Sequence, residues 1–128
     1  MKLSEYFEKT KGRGVMATSD SKGKVGTAVY GRPHFLNEKT VAFIMADRLM
    51  HKNLRSNPYA SYLFMESEER YVGKRLYLTK IKEENDRSLI DKIRRKESCP
   101  VYTAYEDQIK YLVYFRIDKV LPLIGDKK

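Results

Sequence analysis

The chain has 128 residues, enough for one domain around one hydrophobic core and too few for two. Hydrophobic residues make up 41% of it and aromatic residues 12%, with ten Tyr and no Trp, which excludes disorder over the whole length. A net charge of +9, from 26 basic and 17 acidic residues, favours an anionic partner: a nucleic acid, an acidic membrane or a phosphorylated small molecule.

Ser4 to Lys11 reads as a short helix, with Ser4 as N-cap, Tyr6 and Phe7 as its apolar edge, and Gly12 and Gly14 as its stop. Val15 to Thr18 begins a strand. Asp20-Ser21-Lys22-Gly23-Lys24 is a turn in which Gly23 takes a positive φ, and a second strand follows from Val25 to about Arg32. Pro33 bars a regular central ladder, and Asn37-Glu38-Lys39 makes the next turn. Val41 to Ala46 is apolar on both faces, as expected of a strand buried on each side.

The period then changes. Met50 to Asn57 predicts a helix, with Leu54 four residues after Met50 on the same face and Pro58 marking its end. Tyr59 to Met65 returns to a strand, with Tyr59, Leu63 and Met65 on one side and Ala60, Tyr62 and Phe64 on the other. A fifth strand is expected from about Val72 to Ile81. Asn85 caps a surface helix reaching about Lys96, whose terminal Arg94, Arg95 and Lys96 complement the helix dipole. Ser98 to Asp107, broken by Pro100, shows no clear period. Ile109, Tyr111, Val113, Phe115 and Ile117 then alternate with Lys110, Leu112, Tyr114, Arg116 and Asp118 in a last strand.

This order predicts a mainly β, α+β fold: one domain over residues 1–128, a six- to seven-stranded antiparallel split β-barrel with peripheral helices. Cys99 is the only cysteine, which excludes an intrachain disulfide framework; Cys99 before Pro100 reads as a packing residue. With two histidines, a metal site is not expected. The opening Met1-Lys2-Leu3-Ser4-Glu5 lacks the apolar stretch of a secretory signal, and no apolar run approaches membrane-spanning length. The expectation is therefore a cytoplasmic protein with no membrane partner.

The chemistry concentrates in Ala46-Asp47-Arg48-Leu49-Met50-His51-Lys52-Asn53. A buried strand delivers the chain to a helix N-terminus, where backbone N–H groups are unpaired and the dipole is positive. Arg48, His51 and Lys52 add donors and charge, which suits a compact dianion such as a phosphate monoester. Solvated helix cations are the plainer reading of the same residues.

In order along the chain stand Gly14-Val15-Met16-Ala17-Thr18, a glycine turn, the strand Gly26 to Arg32, Val41 to Ala46, and Met50-His51-Lys52-Asn53-Leu54-Arg55-Ser56-Asn57-Pro58. This succession resembles the flavin-binding core of the pyridoxamine 5′-phosphate oxidase-like, FMN-binding split-barrel superfamily. There a phosphate-binding lysine, a following Leu or Ile and an Asn-Pro precede the next strand, as Lys52, Leu54 and Asn57-Pro58 do here. Tyr111 to Leu123 is similar to the family's closing strand.

The resemblance implies FMN as cofactor, with its phosphate on Lys52 and with Arg48, His51 and Asn53 as helpers. It implies that Ala28, Val29 and Tyr30 line the flavin ring with Met45 and Ala46 alongside, and that a homodimer covers the outer face of the flavin. From the residues alone, ordinary core packing is the preferred reading of Tyr30 and Met45, and the plain reading of His51 is an exposed histidine. The implied activity is flavin-dependent oxidoreduction of a small substrate. Some relatives bind haem or a deazaflavin, and others have lost the cofactor. True pyridoxamine-phosphate oxidases carry an Arg/His-containing C-terminal segment that has no counterpart after Val120-Leu121-Pro122-Leu123, so vitamin B6 oxidation is not expected. The alternative is a nucleic-acid-binding module in which Tyr71 and Tyr77 stack bases, flanked by Lys74, Arg75, Lys80 and Lys82.

Overall fold

Period-two alternation decides which side of each strand is buried, and a computed structural model shows the strands it builds. The structure describes residues 1–68, 70–93 and 110–126. The irregular stretch from Ser98 to Asp107, Cys99, Ile109 and the basic run Arg94 to Lys96 lie outside them. Helix α1 spans Leu3–Lys9, followed by β1 (Gly12–Ser19), β2 (Val25–Tyr30), β3 (His34–Asn37), β4 (Thr40–Ala46), α2 (Leu49–Ser56), β5 (Tyr59–Glu66), β6 (Gly73–Glu84), α3 (Arg87–Ile93) and β7 (Lys110–Pro122). The strands make one antiparallel sheet in the order β2-β1-β5-β6-β7-β4-β3. This is the split barrel that the sequence predicts.

The sheet rolls until its ends approach. Tyr30 of β2 stacks on Phe43 of β4 with ring centroids 6.3 Å apart, although the two strands lie far apart in the sheet order. The core inside the roll is aromatic: Phe7, Phe43, Tyr62, Phe64 and Phe115 are all buried, and Phe7 of α1 caps one end. A second cluster lies outside the roll, where Ile90 of α3 covers Ala42, Leu112 and Tyr114 of β4 and β7. That cover explains why β4 is apolar on both faces, and why β7 is buried on both faces from Leu112 to Phe115 although its sequence alternates.

Closure is incomplete. β3 pairs with β4 only from Thr40 to Ala42, and β2 has a strand partner, β1, on one side only. Phe43 to Ala46 and the open side of β2 therefore flank a slit. The link between β2 and β3 is pinned from two directions. The Tyr62 hydroxyl donates to the carbonyls of Gly31 (3.0 Å) and Tyr30 (3.3 Å), and Arg32 Nη1 donates to those of Phe7 (2.9 Å) and Thr10 (3.1 Å).

Several local expectations are corrected. Gly12 and Gly14 do not stop α1 but lie inside β1; the helix ends at Thr10, whose backbone is extended. Ser4 is not the N-cap: Lys2 holds that position, while the Ser4 N–H donates to Glu38 Oε1 (3.1 Å). The four-residue β3 was not predicted, since Pro33 and the Asn37 turn leave too short a run to show a period. Asp86, not Asn85, caps α3, with its Oδ1 accepting the Leu89 N–H at 3.2 Å. The turn at Gly23 is as expected, with φ +86°.

Gly14 owes its place to Tyr62, because a Cβ there would overlap the Tyr62 hydroxyl and ring. Gly14→Ala must push a fully buried ring out of place and break its bonds to Tyr30 and Gly31. We expect urea unfolding to show a loss of about 3 kcal/mol or more. Ser21→Ala, in the exposed turn, should change stability by less than about 0.5 kcal/mol.

Candidate functional site

Where β4 passes the chain to α2, a cavity of about 240 Å³ opens at the slit. One wall is the β2 edge from Thr27 to Tyr30; the facing wall is the outer side of β4, Ile44 and Ala46. Leu49 and Met50 from the first turn of α2 close its end. The lining is mostly apolar and carries two cations. Arg48 is exposed at the N-cap of α2, whereas Lys110 is only 4% exposed, opposite Ala46 in the β4–β7 register.

The helix start reinforces this charge. The α2 hydrogen-bond ladder opens with the Lys52 N–H on the Arg48 carbonyl (2.9 Å), so the amides of Leu49, Met50 and His51 precede it. No side chain caps them and the first turn holds no acidic residue. Helix dipole, Arg48 and Lys110 together make this end of an apolar slot positive.

Of the residues chosen from sequence, Ala28, Val29, Tyr30, Ala46 and Arg48 meet at this cavity. Met45 does not. It points into the barrel, fully buried, and its neighbour Ile44 takes the place at the cavity, because adjacent strand residues face opposite sides. Lys52 stands exposed on α2 outside the lining. Asn53 is buried beneath it, where its Nδ2 donates to Thr18 Oγ1 (3.1 Å) and that hydroxyl in turn donates to Met50 Sδ (3.1 Å). Asn53 thus supports Met50 in the cavity wall. Lys110 is a residue that sequence reasoning missed: the alternation of the last strand gives no sign of its pairing with Ala46, which brings it to the slit. Thr27, Ile44 and Leu49 also line the cavity and were not chosen from sequence.

His51 is not an exposed histidine. It is fully buried, its ring lying parallel on Tyr111 at 4.1 Å between centroids. Nδ1 is 3.1 Å from Asp47 Oδ1, and Nε2 is 2.9 Å from Glu83 Oε2. Lys80 Nζ holds the other Glu83 oxygen at 2.5 Å. Burial raises the Glu83 carboxyl, but hydrogen bonds and charge from Lys80 and His51 outweigh it and keep the group below the usual carboxylate range. Both ring nitrogens are therefore engaged away from the cavity.

The basic face of the nucleic-acid reading is occupied internally. Lys74 Nζ sits 4.7 Å over the Tyr6 ring, Arg75 Nε donates to the Pro122 carbonyl at 2.9 Å, and Lys80 and Lys82 pair with Glu83 and Glu84. Among the described residues, no group of three or more His, Cys, Asp or Glu could hold a metal ion, and no helix is long and apolar enough to cross a membrane.

No known protein-family profile matches the sequence, and no curated protein does. Solved structures do match the fold. An FMN-binding protein from Syntrophomonas wolfei subsp. wolfei superposes with a TM-score of 0.76 at 17% identity, over 98% of this chain and 86% of that one. A Clostridium acetobutylicum protein related to general stress protein 26, of the pyridoxinephosphate oxidase family, gives 0.67 at 13% identity, over 97% and 87%. A heme-binding protein from Mycobacterium smegmatis gives 0.62 at 16% identity, over 99% of this chain and 55% of that one. Strand order, slit and superposition agree: the chain shares the split-barrel fold of these solved structures.

Proposed function

We propose that this protein binds FMN in the slit between β2 and β4 and serves as a flavin-dependent oxidoreductase acting on a small molecule. The observation that carries this reading is the cavity itself, a mostly apolar slot bounded by two strand edges and carrying Arg48 and Lys110. Strand edges offer backbone donors and acceptors in a row, which suits the pyrimidine rim of an isoalloxazine, while Ala28, Tyr30 and Ile44 provide apolar contact for the rings. The phosphate end falls to Arg48, Lys110 and the α2 amides, so the role that the resemblance gives Lys52 passes to Lys110. A bound flavin would supply the electron or hydride transfer; the chain orients it and sets its surroundings.

Haem fits less well. No histidine is among the described residues lining the cavity, and His51, the buried one nearby, has both nitrogens on carboxylates. The Met50 sulfur accepts a hydrogen bond from Thr18.

We also propose that the site is completed by a second copy of the chain. The cavity, about 240 Å³, is smaller than the ~300–1,000 Å³ of a complete small-molecule pocket. One of its walls, Val29, is 72% exposed. Val29 belongs to an uncovered sheet face. Register aligns Val29, Val15 and Leu63 in one row across β2, β1 and β5, with Val25, Tyr59 and Met65 beside it and exposed. Whereas α3 covers the outside of β4 and β7, Val25, Val29, Tyr59 and Met65 on this face stay exposed. A symmetric dimer needs about 800 Å² from each partner, and this face is where the sheet is most apolar outside.

Two outcomes are expected. The protein binds FMN in fluorescence-quenching titrations; Arg48→Ala and Lys110→Met each raise the FMN Kd at least about tenfold, and Lys52→Ala raises it less than about threefold. A protein that takes up the deazaflavin F420 or haem but not FMN overturns the assignment. Sedimentation equilibrium of Val29→Asp should show a monomer with weakened FMN binding, because a carboxylate is buried at the contact; an intact dimer in that variant refutes the proposed face.

A further inference from the structure

The Asp47–His51–Glu83–Lys80 cluster joins three parts of the fold next to the cavity. Asp47 belongs to the β4–α2 junction, Glu83 and Lys80 to β6, and His51 to the first turn of α2, with its ring resting on Tyr111 of β7. Among the described residues these are the charged groups that meet the ring; Lys52 and Arg55 on the same helix are exposed. Both ring nitrogens face carboxylate oxygens, which only accept. The ring satisfies both by donating from both, as the imidazolium. Two carboxylates then balance two cations, His51 and Lys80. Remove one proton and a nitrogen lone pair faces a carboxylate in a buried site, an arrangement that is costly to hold.

We propose that His51 is a positioning residue whose shared proton latches the start of α2 to β6, and that losing it releases the helix turn that carries Arg48 to the cavity. The latch needs both charges. It is present only while the ring donates from both nitrogens. It also weakens when Glu83 is protonated as pH falls, and the depressed Glu83 value delays that loss to below the ordinary carboxylate range. The latch stands on the structure alone; its link to ligand affinity rests on the FMN reading above.

The test has two arms. In the first, amide hydrogen exchange of the protein without added flavin is followed from about pH 5 to about pH 8 and corrected for intrinsic rate, alongside ¹⁵N shifts of the His51 ring. Protection of the Lys52 and Asn53 amides should fall about tenfold or more as the ring loses a proton, while Glu83→Gln and Asp47→Asn should show reduced protection with little pH dependence. Protection that ignores the ring's protonation, a ring neutral throughout this range, or a ring protonated throughout with wild-type protection kept in Glu83→Gln and Asp47→Asn, overturns the proposal. His51→Gln should behave like Glu83→Gln if it folds, and the two carboxylate variants decide the matter if it does not.

In the second arm, the FMN Kd of the wild type should rise about tenfold over the same pH range and stay flat in Glu83→Gln. A latch seen in exchange without any FMN binding refutes the cofactor assignment and leaves the latch standing. FMN binding that is equally pH-dependent in Glu83→Gln refutes the coupling.

Discussion

The Tyr62 hydroxyl and the Arg32 guanidinium hold the chain between β2 and β3 from opposite sides, and the open slit follows from that hold. Tyr62 reaches from β5, inside the roll, to the carbonyls of Tyr30 and Gly31, while Arg32 reaches out to the C-terminal carbonyls of α1. Each bond is worth about 1 kcal/mol net, but together they fix where β2 ends. Pro33, buried and lacking an N–H, then prevents the strand from running on. The chain re-enters the sheet as the short β3, which covers β4 only to Ala42. Had the link been free to slide, β2 and β4 would be able to pair and the cavity between them would disappear.

Closing an antiparallel sheet into a barrel removes unpaired edges, and most small barrels gain stability that way. Here the opening is bordered by polar backbone, apolar side chains and two cations, a combination with no evident purpose in packing. The two flanks of the barrel are also treated differently. α3 shields the outside of β4 and β7, while the outside of β2, β1 and β5 keeps valines and tyrosine in contact with water. Unpaired strand edges and exposed apolar side chains thus lie together on the flank that α3 does not cover.

The fold was legible because its signals are local. Alternation in Tyr59–Met65, the Gly23 turn and the Asn57-Pro58 stop each act over a few residues, and each sits where the sequence predicts. The site was legible in part. The strand-to-helix junction announced itself through Arg48, and β2 through its resemblance, but facing positions required register. Met45 and Ile44 are adjacent and both apolar, so only the pleat decides which one enters the barrel. Nothing local says that Ala46 lies beside Lys110. His51 looked exposed because its partner Glu83 is 32 residues away in sequence. Interior placement of a polar side chain depends on who meets it, and that information is long-range.

The fit of Gly14 under the Tyr62 ring ties two positions on neighbouring strands into a single evolutionary unit. A homologue that acquires a methyl group at position 14 must shrink the side chain at position 62, and in doing so it forfeits the hydroxyl that anchors the end of β2. Such a lineage would be free to let that strand drift shut. Covariation between these two sites should therefore separate homologues that kept a gap in the barrel from those that sealed it.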